Sequence, residues 1–247
     1  MNLIGQPFIT LQQVDSTNNY AMAQAHARLA THGTTYFAME QTGGKGQRGK
    51  NWFSLPGENI MQSVVIEPGN LPAASQFCLS AATALACYDF FNVYAGDETF
   101  IKWPNDLYWR DRKAGGILIE NVLSGKVWQY AIAGTGININ QTVFDVSLPN
   151  PVSLKQITGK HYDVLELASQ LCSRLQKRYE QLHQGNFSEL LEQYNKVLYK
   201  KGQTIRLKKD NRVFNCTLEE VNNAGQLVVK TGIEEHFDFG EVEWVIA

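Results

Sequence analysis

The chain has little excess charge of either sign and no long hydrophobic run. Its 247 residues include 22 Lys and Arg against 24 Asp and Glu, which leaves a formal net charge of −2. This balance argues against a protein that coats nucleic acid or an anionic membrane, so any anion site must be local. No run of about 18 apolar residues is present, and residues 1–10 lack a basic region followed by an apolar one. The sequence therefore predicts a protein that is neither secreted nor embedded in a membrane.

Cysteine is also scarce and is not arranged in a metal-binding pattern. The four cysteines are far apart and form no C-x-x-C pair: Cys78, Cys87, Cys172 and Cys216. We expect buried thiols in the reducing cytoplasm.

Periodicity and turn residues predict alternating helices and strands over the first four fifths of the chain. Helices are predicted at residues 18–33, 72–94, 163–183 and 187–199. A capping residue among Asp15, Ser16 and Thr17 precedes the first of them, and Asp163 is the predicted cap of the third. Strands are predicted at residues 34–39, 59–67, 100–103, 117–122 and 127–133, with a hairpin turn at Ser124, Gly125 and Lys126. Residues 42–58 are then a loop that joins two strands.

After Tyr199 the pattern changes to short alternating runs separated by polar turns. These runs are residues 204–207, 213–220, 227–230 and 236–239. They predict a small β-barrel of about 48 residues, too short to carry a large pocket of its own. The predicted organisation is therefore a domain at 1–199 followed by a barrel at 200–247.

A glycine-rich cationic loop is the most biased segment of the chain. Residues 43–50 read G-G-K-G-Q-R-G-K, with four glycines and three cations. Glycine allows backbone N–H groups to approach a ligand, and the cations favour phosphate oxygens, so an anion site is the favoured interpretation and a mobile surface turn the alternative. The loop also contains G-x-G-x-x-G and G-x-x-x-x-G-K, but the first needs a following helix and the second a Ser or Thr where Asn51 stands. Trp52 closes the loop and could cover a ring or a base.

A second cluster is K-W-P-N-D at residues 102–106, for which ordinary turn chemistry is the alternative. Its Asn and Asp could hold hydrated magnesium. Residues 113–116 read K-A-G-G, and residues 134–138 read G-T-G-I-N. Both place small residues beside a polar group, which permits close approach of a ligand.

Together with S-T-N at residues 16–18, these blocks resemble the biotin protein ligase family over the whole chain. The resemblance implies an α+β fold: a mixed β-sheet with flanking helices, of the class II synthetase-like type, plus a small C-terminal SH3-like β-barrel. It implies a ligase that forms biotinyl-5′-AMP from biotin and ATP with Mg²⁺. A lysine of a biotin carboxyl carrier protein then displaces AMP. The balanced charge, the absence of long apolar runs and the dispersed cysteines predict a cytoplasmic enzyme with no nucleic-acid or membrane partner, and a homodimer stays open.

The resemblance also assigns roles to residues. The implied biotin-binding residues are Ser16, Thr17, Asn18, Gln41, Gly44, Lys45, Gly46, Gln47, Trp52, Lys113, Gly116 and Gly134. The implied ATP-binding residues are Lys45, Arg48, Lys50, Trp52, Lys102, Asn105, Lys113 and Asn138. Lys45 and Lys113 are the implied catalytic residues, as fixed charges between the biotin carboxylate and the α-phosphate. Asp106, with Asn105, is the magnesium candidate.

The chain departs from the family pattern at three places. Lys45 and Gln47 replace the first two arginines of the loop G-R-G-R-R-G-R, and Val245 stands where some members carry an arginine. Gln47 puts tight retention of the adenylate in doubt. Because Met1 lies only 15 residues before Ser16, we expect no helix-turn-helix and no operator binding. A lipoate or octanoate ligase of the same fold and a non-catalytic carrier-binding module remain the alternatives.

Overall fold

The computed structural model describes residues 2–125 and 127–245. Seven strands form the first sheet: β1 (Phe8–Val14), β2 (Thr35–Gln41), β3 (Asn59–Ile66), β4 (Thr99–Lys102), β5 (Asp106–Trp109), β6 (Arg112–Ser124) and β7 (Val127–Asn138). The helices are α1 (Thr17–His26), α2 (Gln76–Ala95), α3 (Leu154–Thr158), α4 (Val164–His183) and α5 (Phe187–Lys196).

The first sheet is mixed and has a helix layer on each face. Its strand order is β1-β2-β3-β7-β6-β5-β4, in which β1 and β2 are parallel and all other neighbours are antiparallel. The larger core packs α2 and α4 against one face. On the other face, Ala21 and Ala25 of α1 pack on Tyr36, Val65 and Ile132. Because α1 is short, it covers only part of that face.

Local sequence explains where the long helices begin and which side they bury. Asp163 caps α4 by accepting from the backbone N–H groups of Leu165 at 2.9 Å and Glu166 at 3.0 Å, as predicted. α2 is apolar around its circumference because it lies between the sheet and the helices α3, α4 and α5. Gly185, at φ 80°, separates α4 from α5.

Several predicted boundaries were wrong. α1 ends at His26 rather than near residue 33, and the chain then turns through Arg28, which has a left-handed φ of 59°. β1 was not predicted, because an edge strand with half-exposed side chains has no clear apolar alternation. β6 and β7 extend beyond their predicted limits, so the glycine motifs lie inside strands. Of the predicted hairpin turn between them, Lys126 lies outside the described residues.

The end of the chain forms a second, antiparallel sheet: β8 (Thr204–Lys209), β9 (Arg212–Val221), β10 (Leu227–Lys230), β11 (Glu234–Phe237) and β12 (Glu243–Trp244). Its strand order is β11-β10-β9-β8-β12. The strands β8 to β11 match the four predicted runs to within a few residues. Asn195 of α5 joins this sheet to the helices by two 2.8 Å bonds to the backbone of Val221. Leu207 and Leu218 belong to the same buried core as α2 and α4, so the division after residue 199 stays a prediction.

The cysteines are free thiols: three are buried and Cys78 is half-buried. Burial raises the pKa of Cys172 and of Cys216 to about 11, which makes both unreactive. No helix in the described part of the chain has the length and apolar character needed to cross a membrane.

A buried histidine predicts loss of stability in mild acid. His32 is almost fully buried against the ring of Tyr179, and its Nδ1 accepts from the backbone N–H of Glu67 at 3.2 Å. Burial lowers its pKa below 6.5, although the charge of Glu67 opposes the shift. The unfolded chain therefore binds more protons, and stability is lost as pH falls through 6.5 toward the folded pKa.

We expect the free energy of unfolding to fall between pH 7.5 and 5.5 by more in the wild type than in His32→Asn, whose side-chain oxygen can replace Nδ1 as an acceptor. Urea denaturation at both pH values measures this difference. His183, whose pKa burial also lowers, is present in both proteins and cancels. Equal losses would contradict the role of His32.

Candidate active site

Paired glycines open one face of the first sheet to an indole ring. Gly116 of β6 lies opposite Gly136 of β7. A Cβ atom on Gly136 would lie 2.7 Å from Cε2 of Trp52, and one on Gly116 would lie 3.5 Å from its Cζ3. Gly136 has to be glycine because Trp52 rests directly on its strand, whereas a Cβ on Gly116 would make only an ordinary contact with the ring.

A buried polar cluster lies beside this glycine surface, where α1 begins. The side-chain oxygen of Gln41 accepts from the backbone N–H of Thr17 at 2.7 Å and from its hydroxyl at 3.0 Å. The hydroxyl of Ser63 lies 2.7 Å from Oγ1 of Thr17 and 2.6 Å from Oδ1 of Asn18. Asn18 in turn donates to Glu120 at 2.8 Å. Apart from the carboxylate of Glu120 at its border, the cluster consists of fixed neutral donors and acceptors, which suits a polar, uncharged ligand group.

Ser16 occupies the N-cap position of α1 and is 2% exposed. Its side chain makes no capping hydrogen bond, contrary to the predicted capping at this helix start. Thr17 and Asn18, the first residues of the helix, direct their side chains into the polar cluster instead. The S-T-N block therefore serves the candidate site more than the helix.

The cationic loop is a narrow hairpin that is closed by backbone pairing between its two arms. Lys45 and Asn51 form an antiparallel bridge, and the N–H of Trp52 donates to the carbonyl of Gly44 at 2.8 Å. A Cβ on Gly44 would lie 2.4 Å from the carbonyl oxygen of Trp52, so only glycine fits there. These contacts place Trp52 over the glycine surface.

The cations of this loop separate toward different parts of the molecule. Nζ of Lys45 lies 3.8 Å from Glu120, next to the polar cluster. Arg48 reaches toward the second sheet, where a Cβ on Gly240 would lie 3.7 Å from its Cζ. Gln47 donates to the carbonyl of Ile117 across 3.4 Å. The loop therefore does not hold all its charge at one point.

A compact charged cluster forms around Asp106 at the far end of the glycine surface. Asp106 lies 2.6 Å from Nζ of Lys113 and 3.9 Å from Nζ of Lys102. The position of a Cβ on Gly116 is 3.6 Å from Nζ of Lys113 and 3.5 Å from the ring of Trp52. Lys113 and the end of the loop thus lie side by side. Lys113 and Glu120 are seven positions apart on β6. At 3.3 Å per residue, their Cα atoms are therefore separated by roughly 23 Å along the strand.

Burial changes the ionisation of Lys102, which is 8% exposed. Burial, with the positive charges of Lys113 and Lys50, lowers the pKa of Lys102 to about 8, while the charge of Asp106 opposes this shift.

The side chain of Asn138 is hydrogen-bonded to the backbone near Lys113. Its Nδ2 donates to the carbonyl of Val152 at 3.1 Å. The backbone N–H of Lys113 donates to the carbonyl of Asn150, and its carbonyl accepts from the N–H of Val152, so Lys113 forms a parallel bridge with the segment around Pro151. Asn138 therefore fixes the segment that borders Lys113, and its predicted contact with adenine stays a prediction.

The donor set around Asp106 suits a magnesium ion that arrives with a triphosphate, not one that resides in the protein. Both carboxylate oxygens of Asp106 already face ammonium groups, and Asn105 donates to the carbonyl of Ile117 at 2.8 Å. Within residues 2–125 and 127–245, no group of three or more His, Cys, Asp or Glu could hold a metal ion. Most ligands of a Mg²⁺ ion here would have to be phosphate oxygens and water.

The sequence reasoning missed Ser63, a member of the polar cluster beside α1, and Glu120, the charged residue at its border. Ser63 is a hydroxyl within the apolar run of β3, and Glu120 lies four residues after the K-A-G-G block. A polar side chain in an otherwise buried strand was the available signal for Ser63. Glu120 had no such signal, because its partners come from α1 and the loop.

A cavity of about 220 Å³ lies on the other side of β6, and two predicted site residues, Gln47 and Asn105, form part of its lining. Its walls are mainly apolar and include Phe77, Trp103, Ile119 and Phe239. It meets the loop only at Gln47.

Comparison with known proteins identifies the family and the fold. A family model described as the biotin/lipoate A/B protein ligase family matches residues 10–138. The chain is 31% identical to the bifunctional ligase/repressor BirA of Escherichia coli over 199 residues, or 79% of this chain and 60% of that protein. It thus spans less than two thirds of the length of that relative.

A second relative matches over nearly its whole length. This is the biotin--[acetyl-CoA-carboxylase] ligase of Paracoccus denitrificans, 28% identical over 89% of this chain and 92% of that protein. The solved structure of the biotin protein ligase from Aquifex aeolicus in complex with biotin and ATP superposes with a TM-score of 0.80. It covers 97% of this chain and 98% of that one at 23% identity, a likeness that shows the fold.

Proposed function

The chain belongs to the biotin/lipoate A/B protein ligase family, and from this premise we propose that it is a biotin protein ligase. It joins biotin to ATP to give biotinyl-5′-AMP and pyrophosphate, and then transfers biotin to a lysine of a biotin carboxyl carrier protein. Relatives named as biotin ligases support biotin over lipoate as the substrate.

One observation carries the proposal: a buried neutral polar cluster and a charged lysine cluster lie along one glycine-lined face, with Trp52 on it. The cluster of Thr17, Asn18 and Gln41 suits the ureido ring of biotin, which is polar but uncharged. The lysines suit phosphate. We expect Trp52, which rests on the same face, to separate the acyl chain from adenine.

In the first step a biotin carboxylate oxygen attacks the α-phosphorus, and the bond to pyrophosphate breaks with its electron pair leaving on pyrophosphate. Two anions must meet, and each unit-charge pair near 4 Å repels by ~1 kcal/mol in water and ~4 kcal/mol at intermediate dielectric. Lys113, held by Asp106, offsets this repulsion as a fixed charge, with Lys50 and Arg48 as further cations for the phosphates. Lys45 pairs with Glu120 beside the polar cluster, so it would join Lys113 at the phosphate only by leaving that partner. Mg²⁺ bound with ATP supplies further neutralisation of the triphosphate.

In the second step the neutral amine of the carrier lysine attacks the acyl carbon of the mixed anhydride. The bond to AMP breaks, AMP leaves with the electron pair, and the amine loses a proton. The anhydride is already activated, so positioning is the main requirement on the protein. The carrier is the proposed partner, and free thiols fit a cytoplasmic location.

Pyrophosphate release tests the proposal directly. We expect release with ATP plus biotin and none above background with ATP plus lipoate or octanoate. Biotin labelling of an added carrier domain, lost when its target lysine is replaced by arginine, tests the second step. Release with lipoate alone would identify a lipoate ligase, and release with neither acid would leave a non-catalytic module.

Gln47 predicts weak retention of the adenylate. It contributes no charge, and its one contact with β6 is a long 3.4 Å bond to the carbonyl of Ile117. We expect Gln47→Arg to slow adenylate dissociation about fivefold, since one added charge pair is worth ~1 kcal/mol in water. Stopped-flow measurement of dissociation checks this, with Gln47→Met as the uncharged control. Identical rates in the Arg variant and the wild type would count against it.

A further inference from the structure

Two aromatic rings from distant parts of the chain enclose the ammonium group of Lys102. Nζ of Lys102 lies 5.1 Å from the ring centroid of Tyr108 on β5 and 5.0 Å from that of Trp244 on β12. Trp244 reaches this position because it pairs with Leu207 across the second sheet. We call Tyr108 and Trp244 the aromatic cage.

The charges around Lys102 explain why ring faces are needed there. Asp106 is one carboxylate shared by two ammonium groups, and it lies closer to Lys113, at 2.6 Å, than to Lys102, at 3.9 Å. A buried ammonium with part of one counter-charge is poorly compensated. The negative faces of the two rings stabilise the cation from the sides that Asp106 does not cover.

We propose that Trp244 is a positioning residue for the adenylation site: with Tyr108 it holds Lys102 behind Asp106, and Asp106 holds Lys113 toward the glycine surface. This inference rests on the proposed function. The side chain of Lys102 is 10% exposed and that of Lys113 is 31% exposed. Lys113 is therefore the lysine that can reach a ligand, and Lys102 acts through Asp106. The second sheet contributes to the site through the face of a ring.

The first test does not depend on activity. In protein labelled at the lysine side chains, the ring of Trp244 shifts the NMR signals of the Lys102 methylene next to Nζ, which Lys102→Arg identifies by their loss. We expect Trp244→Phe to keep most of this shift and Trp244→Leu to lose it and to move the Lys113 signals as well. Unchanged Lys102 and Lys113 signals in Trp244→Leu would overturn the proposal.

The second test separates positioning from phosphate binding. In ATP–pyrophosphate exchange we expect Trp244→Leu to lower kcat about fivefold or more with the KM for ATP within about twofold, and Trp244→Phe to restore kcat. A raised KM with unchanged kcat would overturn the proposal, since Lys102 would then bind ATP directly. So would full activity of Trp244→Leu.

Phe237→Leu is the matched control, because it removes a ring 5.0 Å from Nζ of Lys209 in the same sheet. We expect it to leave kcat unchanged, and a loss equal to that of Trp244→Leu would assign both effects to general weakening of the sheet and overturn the proposal. If the wild type forms no adenylate, the proposed function fails. The NMR signals of Lys102 and Lys113 then still test whether Trp244 positions these two lysines.

Discussion

Replacing Lys113 by alanine is expected to slow biotinyl-adenylate formation about 100-fold or more while changing biotin affinity less than about threefold. The ammonium of Lys113 lies beside Trp52 and is held by Asp106 at 2.6 Å, so its position is set before substrates bind. Its charge matters most as the carboxylate and the phosphate approach each other. Binding of biotin alone brings no phosphate to this point.

Single-turnover formation of the adenylate and direct titration with biotin measure the two effects separately. Lys113→Arg keeps the charge and should recover part of the rate. Lys196→Ala is the control, because its 68% exposed side chain pairs with Glu192 on the surface of α5, and it should change neither quantity. Equal losses of rate and biotin affinity in Lys113→Ala would contradict the proposed role.

Strong local patterns were sufficient to predict most of the fold. The apolar run of β3, the capped and amphipathic α4 and the alternating strands of the second sheet carry their own signals, and all three were confirmed. β1 carries no such signal, since its conformation depends on pairing in parallel with β2, some 27 residues later in the chain. Strand pairing over that distance is a tertiary property.

For the candidate site, sequence predicted which segments meet but not what each side chain does. The glycines of β6 and β7 were interpreted as ends of strands that admit a ligand. In the structure they lie within the strands, where Gly136 accommodates Trp52 and Gly134 accommodates Asn18. That difference depends on the register of β6 against β7, which places Gly116 opposite Gly136. Register is not encoded in either segment alone.

The sequence also did not predict which partners the cations of the loop contact. Lys45 and Arg48 are three positions apart, and sequence treated them as parts of one charged loop. The loop is a hairpin with Arg48 at a left-handed φ of 56°, so neighbouring side chains leave in different directions. Lys45 meets Glu120 and Arg48 meets the second sheet. Which partner each cation finds depends on elements far away in sequence.

We expect Gly134→Ala to lower biotin affinity about tenfold or more, because Gly134 of β7 lies directly against the side chain of Asn18. Its new Cβ would lie 2.1 Å from Oδ1 of Asn18. Asn18 has no room to move, because Ser63 lies 2.6 Å from that oxygen and Glu120 accepts from its Nδ2 at 2.8 Å. Overpacking of this kind costs typically ~1–3 kcal/mol, and ~1.4 kcal/mol is a tenfold change in binding.

Titration with biotin measures the loss, and a thermal melt establishes that the variant is folded. Gly43→Ala is the matched control in the adjoining loop: its Cβ would meet the carbonyl oxygen of Asp15 at 3.5 Å, an ordinary contact. If the clash with Asn18 is the cause, Asn18→Ala combined with Gly134→Ala should bind biotin about as well as Asn18→Ala alone, because the second change then removes nothing further. Losses that simply add would show that Gly134 acts independently of Asn18, and wild-type affinity in Gly134→Ala would remove the polar cluster from the proposed biotin site.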